Sequence, residues 1–137
     1  MTLLDPGVPN NERPLGTALV ALLLAAFAVI ASCYGICVAT AVVPFNSGAW
    51  VVGEEVAMRG WVGYILAGFA HLLAAAGLWR RWRWARWFAV VLLAAGLLPS
   101  VPGVSAAVVD LRLFGIAFWG VLIILRAAAI YALMNAE

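Results

Sequence analysis

Four stretches of this chain are almost continuously apolar and approach the length that an α-helix needs to cross a lipid bilayer. They cover about residues 16–41, 61–79, 87–102 and 113–134, and shorter segments with most of the charged residues separate them. Lipid offers no partners to backbone polar groups, so spanning segments form helices or closed barrels. Barrel strands would alternate apolar and polar residues, which these stretches do not. The pattern predicts an all-α polytopic membrane protein whose four helices form a compact up-down bundle.

The composition indicates the same surroundings. Hydrophobic residues make up 67% of the 137 residues, charged residues make up 10%, and the mean hydropathy is +1.10. A soluble domain of this size could not bury so much apolar surface. The net charge of +2 forms no extended basic face, which excludes nucleic acid as a partner. The lipid bilayer is the predicted partner of most side chains.

The basic residues, all of them arginine, predict the orientation of the chain. The segment 80–86 holds four of the eight, whereas the other connections balance arginine with acidic residues. Basic loops stay in the cytoplasm, so this loop and both termini are predicted to lie there, in a bacterial cytoplasmic membrane. Residues 1–14 read as a cytoplasmic tail and not as a cleavable signal peptide. The arginines of the loop are Arg80, Arg81, Arg83 and Arg86.

Tryptophans flank these arginines, as expected of an aromatic belt at the membrane surface. They are Trp79, Trp82, Trp84 and Trp87. Trp50 and Trp61 would serve the opposite surface. An alternative interpretation of this segment is a recognition patch for anionic lipid or for a protein partner.

Small residues recur at intervals of three and four along the first two predicted spans, so they share one helix face. Close approach at such faces is a main source of helix association in lipid. We therefore expect these two spans to pack as an antiparallel hairpin. The first stripe contains Ala18, Ala21, Ala25, Ala28, Ser32, Gly35 and Ala39, and the second contains Gly63, Ala67, Ala70, Ala74 and Gly77.

His71 and Arg126 are the polar residues that lie deepest in the predicted spans. His71 could ligate haem, relay a proton or bind a ligand, or it could be a structural histidine bonded to the backbone. Arg126 has no acidic residue within any span as a partner. Its guanidinium could snorkel to lipid phosphate, bond His71 and carbonyls, or meet an acid from a ligand or another chain. Both residues lie about 12 Å from the predicted cytoplasmic ends of their helices, so they could meet.

The remaining candidate site residues give little indication of a catalytic or metal-binding role. Cys33 and Cys37 are four residues apart on one helix face, which is poor geometry for a disulfide and is typical of packed thiols. Glu54 and Glu55 are expected in a solvated loop. No known catalytic or phosphate-binding motif occurs, and no catalytic residue or metal site is predicted.

Two short segments carry a resemblance to known proteins. The segment from Glu12 to Gly16, ERPLG, and the segment from Gly77 to Trp87, GLWRRWRWARW, resemble those of a loose group of uncharacterised bacterial membrane proteins with four spans. The overall layout is similar to that of the DoxX-like proteins. The resemblance implies the fold and supplies no catalytic residue.

Three functional hypotheses follow from these observations. The first is a non-catalytic accessory subunit or self-associating bundle, acting as a homo-oligomer or as part of a larger membrane complex. The second is a bundle that binds haem, quinone or another anionic amphiphile through His71 and Arg126. The third is a small-molecule transporter formed by oligomerisation.

Overall fold

All regular structure is helical in a computed structural model of the chain, which describes residues 15–44, 47–52 and 54–135. The predicted tail, residues 1–14, lies outside the described residues. The helices are α1 (Leu15–Ala39), α2 (Ala49–Val52), α3 (Glu54–Ala57), α4 (Trp61–Trp79), α5 (Arg83–Leu97), α6 (Ser100–Val109) and α7 (Leu113–Met134).

Four helical segments are long and apolar enough to cross a membrane: α1, α4, the combined segment of α5 and α6, and α7. Their lengths are 25, 19, 27 and 22 residues. This result confirms the predicted fold class at the level of an all-helical chain with four candidate membrane spans. The chain has the length and hydropathy pattern of a multi-pass membrane protein.

The third span is longer than the sequence predicted. The sequence placed this span at about 87–102, with Pro99 and Pro102 expected to end or kink it, but the helical path begins at Arg83 and ends at Val109. Its single interruption is at Leu98 and Pro99, whose backbone angles remain helical. Pro99 lacks an N–H group and so breaks the hydrogen-bond ladder, yet proline is well tolerated at the start of the next helix.

Three helix ends share one turn geometry with a left-handed residue in place of the usual glycine. Ala41, Arg81 and Leu111 have φ values of 55°, 59° and 51°. The next residue in each case donates its N–H to a carbonyl five positions earlier, at 2.9 Å, which is the Schellman pattern. These turns end α1, α4 and α6, and the last two make the connections to α5 and α7 very short.

The helices α1 and α4 make the most extensive contact, and they run antiparallel. Near one end, a Cβ atom added at Gly35 would lie 3.1 Å from Cβ of Tyr64. Nearer the middle, a Cβ atom added at Gly68 would lie 2.6 Å from Oγ of Ser32 and 3.1 Å from the carbonyl oxygen of Ala28. Glycine at 68 therefore permits a closer backbone approach than any other residue would.

The small residues of the two predicted stripes contact several different helices. A Cβ atom added at Gly63 would first meet the carbonyl of Val56 in α3, and one added at Gly77 would first meet Cβ of Ala85 in α5. Gly68 was not in the predicted stripe although it makes the closest approach to α1. Of the other stripe residues, Ala39 is exposed, Ala21, Ala28, Gly35 and Ala74 are buried, and Ala18, Ala25, Ser32, Ala67 and Ala70 are half-buried.

The largest apolar core lies between α1, α4, α5 and α7. Its buried members include Leu24, Ala74, Leu93 and Leu133. At the same end of these helices, a Cβ atom added at Gly16 would lie 3.4 Å from that of Ala132. A second core formed by Phe27, Ala31, Val51 and Leu122 lies nearer the other end, where α2 packs on the long helices.

Candidate functional site

Arg126 is one of the most buried side chains in the described residues, with 2% of its surface exposed. It lies on α7, and its side chain crosses to the junction of α5 and α6 on one side and to α2 on the other. The guanidinium is therefore enclosed by the chain itself, which supplies the acceptors for its donors.

Four acceptors surround the guanidinium. Nη1 donates to the carbonyl of Gly96 and to Oγ of Ser100, the latter at 3.1 Å. Nη2 donates to the carbonyls of Trp50 and Val51 at 3.2 and 3.3 Å. These contacts satisfy the donors of both terminal nitrogens, since each carries two hydrogens.

The end of α5 explains why a carbonyl is available there. Gly96 lies in the last turn of α5, where carbonyl groups lose their intrahelical partners, and a cation is favoured at such a terminus. Oγ of Ser100 also donates to the carbonyl of Gly96 at 3.1 Å. A Cβ atom added at Gly96 would lie 2.8 Å from Cζ of Arg126, so a side chain there would displace the guanidinium. Arg126 thus links α2, α7 and the α5–α6 junction.

His71 lies close to Arg126 but is not bonded to it in the described structure. The Arg126 Cζ atom lies 5.3 Å from the centroid of the Phe27 ring. The His71 ring meets the same phenyl ring edge-on, with centroids 6.1 Å apart. The sequence placed the two residues at a common depth; in the structure, Phe27 contacts both.

The His71 ring is held in one orientation by its own helix. Nδ1 lies 2.8 Å from the carbonyl oxygen of Ala67, which can only accept, so Nδ1 carries the hydrogen. In the neutral ring Nε2 is then an acceptor. The residue is buried, with 8% of its surface exposed. His71 therefore has one ring nitrogen, Nδ1, bonded to its own helix and the other, Nε2, available as an acceptor.

A cavity of about 420 Å³ joins these residues. It extends along α4 from Gly63 to His71, a distance of about 12 Å at the rise of an α-helix. Its walls are mainly apolar, and they come from α1, α2, α3, α4 and α5. Leu66 lines the cavity and is also exposed, so the space opens to the outside of the protein. Size and lining are those of a ligand pocket.

The charge of the cavity is positive in the part of the chain that the structure describes. Arg59 and Arg126 both line it, and no described carboxylate does. Arg59 is exposed in the turn before α4, and its guanidinium has no hydrogen-bond or ion-pair partner among the described residues. The side chains of Glu54 and Glu55 lie outside the described structure, although both residues belong to the short helix α3 and not to the expected loop.

The predicted interfacial residues lie at the opposite end of α4. Trp79, Trp82, Trp84 and Trp87 are all exposed, as are Arg80, Arg81 and Arg83. The rings of Trp82 and Trp84 stack with centroids 5.6 Å apart, and Arg80 Cζ lies 5.7 Å from the Trp82 ring. Arg86 differs because it is half-buried and donates to the carbonyl of Met134 at 2.7 Å, which caps the end of α7.

Other residues singled out by the sequence take no part in the cavity. Cys33 is exposed on α1, Cys37 is partly exposed, and both are free thiols. The described residues contain no cluster of three side chains suited to a metal ion. Trp50 was expected in the second aromatic belt, but it is half-buried and packs against Tyr34 and Phe118. Trp61 is exposed, as a belt residue would be.

Sequence reasoning missed six contributors to this site: Phe27, the carbonyls of Trp50 and Val51, Arg59, Gly96 and Ser100. Phe27 is one apolar residue among many in its span, and Arg59 resembles an ordinary loop charge. Gly96 contributes only a carbonyl, which every residue possesses. The available signal was Pro99, because a proline indicates that a helix is interrupted close to it, and carbonyls in the last turn of a helix lack intrahelical partners.

Comparisons of the chain with protein-family models, with curated proteins and with solved structures found no match.

Proposed function

We propose that this protein is a small multi-pass protein of the bacterial cytoplasmic membrane that binds an anionic amphiphile in the cavity between α4 and α5. The observation that carries the proposal is a mainly apolar cavity with two arginines and no described carboxylate on its walls. Lipid-like anions combine an acyl chain that prefers such walls with a headgroup that a guanidinium binds well.

Each arginine has a separate role in this proposal. The terminal nitrogens of Arg126 are engaged by carbonyls and by Ser100, so this residue supplies positive potential without offering its main donors. Arg59 lies in the turn before α4 and supplies the direct contact to the headgroup. The acyl chain would lie along Leu66, Leu92 and Leu93, toward the interior of the membrane.

The contacts between helix ends support the proposed arrangement. Gly16 lies near Ala132, and Arg86 caps the carbonyl of Met134, so the start of α1, the start of α5 and the end of α7 are neighbours. An up-down bundle with both termini on the side of the basic 80–83 turn has these contacts. The positive-inside bias makes that side the cytoplasm.

The structure weakens the reason for the alternative hypothesis of an accessory subunit. That hypothesis, the first of the three above, drew on the few polar groups within the spans and on an Arg126 that had no acidic partner there. Four acceptors in the same chain now occupy its donors, so no second protein is needed to satisfy them.

Binding of dodecanoate to the protein in lipid nanodiscs tests the proposal, with dodecanol as the uncharged control probe. We expect saturable binding of dodecanoate at one site. Arg59→Gln should weaken it about fivefold to tenfold, because it removes a partly exposed charged contact of about 1–1.4 kcal/mol. Arg112→Gln is the matched control, since Arg112 is exposed, lies outside the cavity and pairs with Asp110 at 3.5 Å.

Three results would contradict the proposal. They are the absence of saturable binding, equal binding of dodecanol, and equal effects of the Arg59 and Arg112 substitutions. A haem absorption band in the purified protein would instead indicate that His71 ligates iron.

A further inference from the structure

We infer that His71 selects ligands that carry a hydrogen-bond donor on the distal part of their chain, such as an ω-hydroxylated fatty acid. The inference depends on the proposed function because it describes the ligand of the same cavity. It adds the chemistry at the inner end, where the proposed function specifies only an apolar chain.

The first step is the protonation pattern of the ring. Ala67 accepts the hydrogen of Nδ1 at 2.8 Å, and this bond leaves Nε2 of the neutral ring as an acceptor. The described structure gives Nε2 no hydrogen-bond partner, while His71 lines the cavity. A group that meets this atom favourably must therefore donate a hydrogen.

The second step is the fixed position of the ring. The bond to Ala67 and the edge-on contact with Phe27, at 6.1 Å and an interplanar angle of 67°, hold the imidazole from two sides. A ring that is already ordered loses little further entropy when a ligand binds. The imidazole, which lines the cavity, is thus preorganised.

The third step is the separation of the two polar ends. Gly63 and His71 lie about 12 Å apart along α4, and Arg59 lies one helical turn before Gly63 in the chain. The wall between them is formed by Leu66 and Ala67 on α4 and by Leu92 and Leu93 on α5. An extended ligand chain that covers the roughly 12 Å between Gly63 and His71 would hold its carboxylate at Arg59 and a terminal hydroxyl at His71.

Comparison of ω-hydroxydodecanoate with dodecanoate tests the inference in nanodiscs. The hydroxylated probe should bind the unmodified protein about threefold to tenfold more tightly, which corresponds to one neutral hydrogen bond. In His71→Phe the preference should reverse, because the hydroxyl would be buried without a partner. His71→Gln, whose side chain keeps an acceptor oxygen, should retain part of the preference.

The outcomes separate this inference from the proposed function. If both probes bind equally to the unmodified protein and to His71→Phe, while Arg59→Gln weakens both, the donor preference is wrong and the amphiphile site stands. If neither probe binds saturably, both proposals fail. Thermal unfolding of His71→Phe shows whether that variant is folded, and if it is not, the comparison of the unmodified protein with His71→Gln decides the question.

Discussion

Replacing Arg126 by methionine should release α2 from the membrane-spanning helices. Methionine has a similar length and no hydrogen-bond donors, so the change removes the bonds to the carbonyls of Trp50 and Val51 without leaving a large cavity. The carbonyl of Gly96 keeps a partner, because Oγ of Ser100 still donates to it. The loss therefore falls mainly on α2.

The expected size follows from the two lost bonds. A hydrogen bond to a charged group contributes about 1.5–3 kcal/mol, so two such bonds contribute about 3–6 kcal/mol. The opened state recovers part of this free energy, because freed carbonyls near the membrane surface can bond water. The lower end, about 3 kcal/mol, corresponds to about a hundredfold increase in the population of the open state.

Hydrogen–deuterium exchange measured by mass spectrometry on the protein in detergent would detect this opening. The amides of residues 47–52 should exchange about a hundredfold faster in Arg126→Met if opening and closing are fast relative to exchange. Ser100→Ala is the control, since it removes a contact on the α6 side and leaves both bonds to α2 in place. Unchanged exchange over 47–52 in a folded Arg126→Met variant would refute the role of Arg126 in holding α2.

Two further predictions concern the packing and the turns. Gly68→Ala should lower the stability in detergent by about 1–3 kcal/mol, because its Cβ would lie 2.6 Å from Oγ of Ser32. Gly120→Ala, with no atom within 4 Å of the added Cβ, should be neutral or stabilising, and equal losses at both positions would contradict the close contact of α1 with α4. Leu111→Gly should raise the melting temperature. Leu111 has a left-handed backbone conformation (φ 51°), which costs a non-glycine residue about 1 kcal/mol, and its side chain is 82% exposed. A lower melting temperature would show that contacts of this leucine outweigh the backbone cost.

The four long helices could be predicted from the sequence because hydropathy is a property of the residues themselves. Each apolar run had a counterpart of spanning length, but the short helices α2 and α3 and the extent of the third span beyond Pro99 were not predicted. A proline can end a helix or merely interrupt its hydrogen bonds, and the choice depends on whether the next residues pack on a neighbour. Here α6 packs against α7, with Gly103 close to the Trp119 ring, so the helical path continues.

The same reasoning could predict only part of the candidate site. His71 and Arg126 could be found because polar side chains are rare and costly within apolar spans. Their partners could not, because the acceptors for Arg126 are mostly backbone carbonyls that carry no signature in the sequence. The sequence showed that Arg126 has no acidic partner within the spans. It could not show that the carbonyls of α2 accept hydrogen bonds from the guanidinium instead.

The solvation of Arg126 explains why a cation at this depth is compatible with ligand binding. Carbonyl dipoles satisfy its hydrogen bonds but carry no net charge, so the positive charge remains uncompensated by any described carboxylate near the cavity. Burying arginine in a membrane costs about 3 kcal/mol on insertion scales, and an apolar side chain at this position would avoid that cost. A paired acid would lower the cost but would also cancel the positive potential in the cavity. An arginine bonded only to neutral acceptors keeps that potential, and in the proposed function it would stabilise the anionic headgroup held at Arg59.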